Sequence, residues 1–390
     1  MCAATSWCAC ANWRQIPCSR SRAGRFSPAP GRRRHRVDTR VFNHPEAVVQ
    51  GWYWLARSRE IRRGQVVPLR LLGRELAVYR GDDGRVAALD AYCAHMGAHL
   101  AEGRVEGNAL RCFFHRWRYE ADGRCSDIPC LAGQARPQIS VRCWPTAERY
   151  GMVWLWTGET PADDLPEVPE LAGKACDALV ANRFRKRCHP NVVLINAIDE
   201  QHFASVHHLP GSILTMEAVP RSVSNIEFRN LGKVPTSKRL GRLLARFYQG
   251  PLTYTLSYWY GSLGTVTLGP DFLHLHLMFA LRVGDDGSTE GQTLALTRQR
   301  RGPLGWLVNR LLLYGTALAA RYFAWGDTRV FETIRFDFRH PIPADRAVLA
   351  FIRHLESQPL ARWHEIDRTG ARPRPTRMRL AGTDQESSDG

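Results

Sequence analysis

Cys93-Ala94-His95 and Cys112-Phe113-Phe114-His115 are two short stretches separated by sixteen residues, and each supplies one cysteine and one histidine. A zinc finger draws two cysteines from one loop and two histidines from another. Mixing the ligand types within each loop instead suits an asymmetric [2Fe–2S] cluster, in which two thiolates hold one iron and two imidazoles the other. Four scattered core residues would not share this spacing. The chain is therefore expected to hold a cluster through Cys93, His95, Cys112 and His115.

The residues around these loops are punctuated like an all-β domain. Val66 to Leu72 and Leu76 to Tyr79 are short apolar runs, and the turn Gly81-Asp82-Asp83-Gly84 leads into Val86 to Leu89 as a hairpin does. Thr146 to Trp156 closes the region with an aromatic-rich strand from Met152. Gly97 and Gly123 are placed for the tight backbone turns that cluster loops need. A first domain over 44–160 follows, and Pro161 to Pro169, rich in proline and acid, reads as a linker.

Beyond the linker, 161–357 reads as a second domain. A helical segment around Asn191 to His208 precedes strands over Leu252 to Leu268 and Phe272 to Val283, with a turn at Gly284-Asp285-Asp286-Gly287. An apolar helix near Trp306 to Trp325 ends the domain, followed by Arg329 to Phe338. This order predicts an α+β chain whose second domain is a curved antiparallel sheet gripping a helix around a cavity. On one strand Leu273, Leu275, Leu277, Phe279 and Leu281 alternate with His274, His276 and Met278. One face is expected to line the cavity and the histidines to sit on the wetter one. Phe203, Tyr254 and Trp259 could stack on an aromatic ligand or simply fill the core.

Length and charge bound the rest. The 390 residues suit two domains, and 44% apolar residues are ample for their cores. Eleven cysteines without a regular framework predict a reducing, cytoplasmic setting. The net charge is +17, but residues 1–43 hold nine arginines against Asp38, a net of +8. That stretch reads as a disordered or otherwise non-structural extension, transit-like in its arginine bias, and 358–390 reads as a C-terminal tail. The other +9 is spread thinly with no nucleic-acid-reading motif, and suits an acidic protein partner such as a small ferredoxin. No run reaches the length of a membrane span, because Leu304 to Ala320 contains Asn309 and Arg310.

Asp199-Glu200-Gln201-His202-Phe203-Ala204-Ser205-Val206-His207-His208 carries a second signature. His202 and His207 lie five apart, about 140° around an ideal helix, so a broken or π-type helix is needed to bring them together. Two imidazoles and one carboxylate make the facial triad of non-haem Fe(II) oxygenases. The third ligand is expected to be Asp327, an isolated acid beside an apolar helix that would be costly to bury unpaired. Asp337 is its fallback, and His208 competes with His207.

With both sites read, the chain resembles the α-subunit of a Rieske non-haem iron oxygenase from about Gly51 to Leu355, and is most similar to the aminopyrrolnitrin-oxygenase-like enzymes. The likeness rests on Tyr92 to Leu100, Arg111 to Tyr119, Thr146 to Gly151, Asp199 to Pro210 and Gly326-Asp327. It implies a Rieske [2Fe–2S] domain followed by a helix-grip catalytic domain with a mononuclear Fe(II). It also implies electrons from a ferredoxin or ferredoxin reductase, O2 as oxidant, and a head-to-tail homotrimer. In that assembly Asp199 would bridge His202 of one chain to His115 of another. The carboxylate lies three residues before His202, so on one helical face it would orient the imidazole. Respiratory Rieske proteins carry an extra cysteine beside each loop, which Met96-Gly97-Ala98 and Phe113-Phe114 lack. Arg116 stands where family members often have glycine. The implied function is oxidation of an apolar, aromatic or heteroaromatic natural-product-like substrate, by hydroxylation or aryl-amine oxidation. Alternatives are desaturation or oxidative cyclisation on the same machinery, and an electron-transfer or ligand-binding protein with a vestigial iron site.

Overall fold

Short apolar runs broken by glycine turns build the first domain. Its strands are β1 (Trp52–Arg57), β2 (Val66–Leu71), β3 (Arg74–Arg80), β4 (Val86–Asp90), β5 (Arg104–Glu106), β6 (Ala109–Arg111), β7 (Arg118–Tyr119), β8 (Cys125–Asp127), β9 (Cys143–Trp144), β10 (Thr146–Arg149) and β11 (Met152–Trp156). They pair into three antiparallel sheets ordered β1-β11-β10, β2-β3-β4-β9 and β5-β6-β7-β8. The computed structural model describes residues 39–135, 137–207, 215–231, 252–270 and 273–364.

Two apolar clusters fill this domain. Leu71, Leu76, Val78, Trp144, Val153 and Leu155 form one. Ala77, Tyr79, Leu89, Leu100, Leu110, Trp117, Tyr119 and Ile128 form the other, which also encloses Cys93 and Cys112. Strand alternation divides them: Leu76 and Val78 of β3 point one way, Ala77 and Tyr79 the other. Gly123 marks where the backbone comes closest. Its φ is +84°, and a Cβ there would lie 2.0 Å from the Val141 carbonyl oxygen.

The second domain comprises β12 (Cys176–Lys186), α1 (Pro190–Ile195), α2 (Glu200–Ser205), β13 (Met216–Pro220), β14 (Asn225–Asn230), β15 (Leu252–Trp259), β16 (Leu263–Pro270), β17 (Leu275–Val283), β18 (Thr289–Arg298), α3 (Gly302–Thr333) and α4 (Arg346–Glu356). One seven-stranded sheet, ordered β12-β18-β17-β16-β15-β14-β13, carries it. The first strand, β12, pairs with the last, β18, which leaves β12 and β13 as the two edges of an open sheet. Leu313 and Ala317 of α3 pack on Leu179, Ala181, Leu277 and Ala295 at that end. On the other side Val348, Phe351, Ile352 and Leu355 of α4 join Phe228, Leu256 and Tyr258.

The α+β architecture is the expected one, with four local corrections. The apolar helix does not stop near Trp325; its 32 residues carry Asp327 inside the helix, and α4 still follows. The non-structural extension does not reach residue 43, because Val41 and Phe42 are buried and Phe42 packs on Phe336 and Phe351. Residues 358–364 are no tail: Leu360 bridges Val49, and Trp363 is 0% exposed in the core of the first domain. His276 is buried rather than wet, its Nδ1 3.0 Å from Thr267 Oγ1. The last three depend on partners on other elements that local pattern does not display.

Candidate functional site

Each cysteine-histidine loop is closed by backbone bonds of its own. Cys93 N–H donates to the Ala98 carbonyl and Gly97 N–H to the Cys93 carbonyl, with Gly97 at φ +73°. In the second loop Cys112 N–H donates to the Trp117 carbonyl, and the reversal uses Arg116 at φ +61°. Glycine would adopt that conformation at no steric cost, so arginine here is held by its surroundings. The Arg116 carbonyl accepts from the Arg111 guanidinium at 2.6 Å.

Both sulfurs are buried while the rings reach outward. The His95 and His115 ring centroids lie 4.6 Å apart, and Trp117 stacks on His95 at 4.4 Å with an interplanar angle of 6°. The Tyr119 hydroxyl is 3.0 Å from Cys93 Sγ. Burial pushes the Cys112 thiol up; backbone N–H groups of Phe114 and His115 oppose this, and the neighbouring Cys93 adds to it. Burial, then the adjacent His115, holds His95 below the ordinary histidine range, and His95 Nδ1 is buried without a hydrogen-bond partner. Two crowded thiols facing two crowded imidazoles, one with an orphaned nitrogen, fit a cationic two-iron group that takes sulfur on one side and nitrogen on the other.

The second site is assembled by α2 and α3. Asp199 is the N-cap of α2, its Oδ1 accepting from Gln201 N at 2.9 Å and His202 N at 3.3 Å. It therefore lies ahead of the helix in extended backbone, and its hydrogen bonds run to main chain; the expected pairing on one helical face with the His202 ring is not what forms. Glu200 anchors the same turn by accepting from Met216 N at 2.8 Å. The helix ends at Ser205, and this break, rather than a π-turn, lets His207 swing back toward His202. His208 lies outside the described residues.

Asp327 meets the two histidines from α3. Nε2 of His202 and of His207 lie 3.1 Å apart and stand 3.0 and 3.1 Å from Asp327 Oδ1. That oxygen is buried without a hydrogen bond, so three lone-pair atoms converge on one point. Metal–ligand bonds of about 2.1 Å at right angles place neighbouring donors about 3.0 Å apart, so the triangle fits a divalent ion bound on one face. Asp337 instead pairs with Arg339. Asn196 was not singled out in the sequence, yet its Nδ2 stands 3.0 Å from His202 Nε2. No periodic signal marks it, because it sits in the bend between α1 and α2.

A cavity of about 500 Å³ opens beside the triad. Leu275, Leu277 and Phe279 line it, so the apolar face of β17 faces the cavity. Phe203 and Tyr254 also line it, their rings edge-to-face at 5.7 Å, whereas Trp259 packs on the core outside it. The Tyr254 hydroxyl donates to the Ala197 carbonyl at 3.0 Å, and burial pushes its pKa up. Lys186 Nζ lies 2.8 Å from Thr328 Oγ1, next to Asp327.

The chain is similar to several known proteins. Residues 51–145 match the Rieske [2Fe-2S] domain. The chain is 36% identical over 170 residues to a probable 3-ketosteroid-9-alpha-monooxygenase, oxygenase component, of Rhodococcus rhodochrous, covering 42% of each chain. It is 36% identical over 168 residues to a cholesterol 7-desaturase of Bombyx mori, covering 42% of this chain and 36% of that one. Aminopyrrolnitrin oxygenase of Pseudomonas fluorescens is 31% identical over 238 residues, covering 58% of this chain and 62% of the other. The chain thus matches less than two thirds of the length of each of these relatives. The crystal structure of dicamba monooxygenase superposes with a TM-score of 0.53 at 19% identity, covering 85% of this chain and all of that one. The chain carries a Rieske [2Fe–2S] domain, has the fold of the Rieske oxygenases and is homologous to oxygenase components.

Proposed function

We propose that this chain is the oxygenase component of a Rieske-type system, using O2 and electrons from a separate ferredoxin or reductase to oxidise an apolar substrate, aromatic or heteroaromatic in part. The observation that carries the reading is the convergence of His202, His207 and Asp327 on one point at the wall of an apolar cavity. Cys93, His95, Cys112 and His115 would hold the [2Fe–2S] cluster, and the triad would hold Fe(II). When bound, these groups supply single electrons and the activation of O2. The chain supplies position. Phe203, Leu277 and Phe279 offer flat apolar walls that exclude water, and Tyr254 presents its ring because its hydroxyl is spent on Ala197. Lys186, Thr328 and Asn196 are among the polar groups beside the triad. Asp199 is the carboxylate through which His115 of a second copy would be linked to His202, in the homotrimer that the resemblance implies.

Iron analysis of the loaded protein should find about three irons per chain. Asp327→Ala should lower this to about two and abolish turnover while leaving the cluster spectrum intact. Turnover that survives the substitution rejects the ligand set. A surrogate reductase assay on arylamines and steroids narrows the substrate class. A second reading, desaturation, draws support from the likeness to cholesterol 7-desaturase. Labelled dioxygen separates the two, since hydroxylation carries the label into product and desaturation does not.

A further inference from the structure

The outer face of α3 is used by neither site. Leu304, Leu307, Leu311, Tyr314 and Leu318 recur at three- and four-residue steps and are 48 to 73% exposed. Trp306 beside them is 57% exposed, with the Arg310 guanidinium 5.5 Å from its ring. The opposite face of the helix, through Asn309, Leu313, Thr316, Ala317 and Ala320, is buried. Single exposed leucines need no explanation, but a continuous stripe about 21 Å long does.

Charge decides what can cover it. Arg298, Arg301, Arg310 and Arg321 accompany the stripe, whereas Arg300 is turned onto Asn309 Oδ1 at 2.8 Å, and no carboxylate occurs in the sequence between Glu290 and Asp327. A second copy packed symmetrically through this same face would set arginines against arginines, with no acid within the helix stripe to pair them. An anionic lipid surface satisfies both features, taking leucine and tryptophan into the interface and leaving arginine among the head groups. Among the described residues no helix is long and apolar enough to cross a membrane, so such contact is with the surface. Arg321, three residues past Leu318, also lines the cavity, so the stripe borders that space.

We propose that α3 docks this protein on an anionic bilayer surface through Leu304, Leu307, Leu311, Tyr314 and Leu318, with the neighbouring arginines at the head groups. The inference goes beyond the oxygenase reading and stands or falls separately from it. The test floats the full-length, iron-loaded protein with phosphatidylcholine vesicles containing about 30% phosphatidylglycerol, and with phosphatidylcholine alone. The protein should rise with the anionic vesicles only, and less at high salt. Leu311→Gln with Leu318→Gln should cut the bound fraction at least about tenfold with iron content and cluster absorption unchanged. Arg301→Gln with Arg310→Gln should weaken binding in the same assay. All variants keep the arginine-rich 1–43, so undiminished binding of the leucine pair would assign the effect to that stretch and overturn the proposal. Failure of the unmodified protein to float overturns it too. A changed number of subunits in the leucine pair, measured by light scattering, would assign the face to a second copy instead.

Discussion

Tyr119 and Asp327 illustrate how single side chains set the properties of the two centres. The Tyr119 hydroxyl, 3.0 Å from Cys93 Sγ, would donate to a thiolate there and favour the more negative, reduced state of a cluster. One hydrogen bond of about 1 kcal/mol corresponds to about 40 mV for a one-electron couple. Tyr119→Phe should therefore lower the midpoint potential by some tens of millivolts, read by redox titration, with the optical spectrum preserved. An unchanged potential would mean the hydroxyl does not act on that sulfur. Asp327 was marked in sequence as an acid with no local partner, and its buried, unbonded Oδ1 is the physical form of that signal. Asn196 and Tyr119 had no such mark, since an amide in a bend and a strand tyrosine are ordinary until a ligand atom is seen beside them.

At the scale of the element, helix starts matter most. Asp199 combines a capping role with the proposed electron bridge, and two substitutions separate them. Asp199→Asn keeps an N-cap acceptor, so stability and iron content should hold while turnover falls. Asp199→Ala should in addition cost about 1 kcal/mol of stability, seen as a lower melting temperature. Equal turnover in Asp199→Asn and the unmodified protein would reject the bridge. His189 caps α1, its Nδ1 accepting from Asn191 N at 3.2 Å. Burial lowers its pKa from 6.5 to about 4. The unfolded chain then binds the extra proton between these values, so stability is full above pH 6.5 and declines toward pH 4, by up to about 3 kcal/mol. His189→Asn retains a cap without the titration and should flatten that acid limb in denaturant unfolding. An identical slope would place the proton elsewhere.

Over the whole molecule, the two domains are fastened by residues far apart in sequence. Arg282 of β17 lies 3.8 Å over the Trp54 ring of β1 and donates to the Trp54 and Leu55 carbonyls, while its charge is met by Glu290 at 2.9 Å. The Glu356 carboxylate at the end of α4 accepts from the main-chain N–H of Val41 and Phe42 at 3.0 and 2.8 Å. The chain then returns to the first domain, where Trp363 packs on Trp144 and the Arg74 guanidinium donates to its carbonyl. Truncating so buried an aromatic costs about 3–5 kcal/mol. Trp363→Ala should lose the cluster at lower temperature than the unmodified protein, followed by its visible absorption during heating. No change would mean that the returning segment is dispensable to the first domain.

The sequence by itself determined the class of fold and the proposed set of ligands. Cysteine-histidine spacing, strand punctuation and the Asp199-His202-His207 run are local, and short-range patterns carry local constraints. Only the tertiary structure decided that Asp327 sits within α3 facing both histidines, and that Phe42 and Trp363 belong to cores. Each of these depends on contacts between segments tens to hundreds of residues apart, where burial and lone-pair geometry are set by the packed whole and leave no periodic trace in the chain.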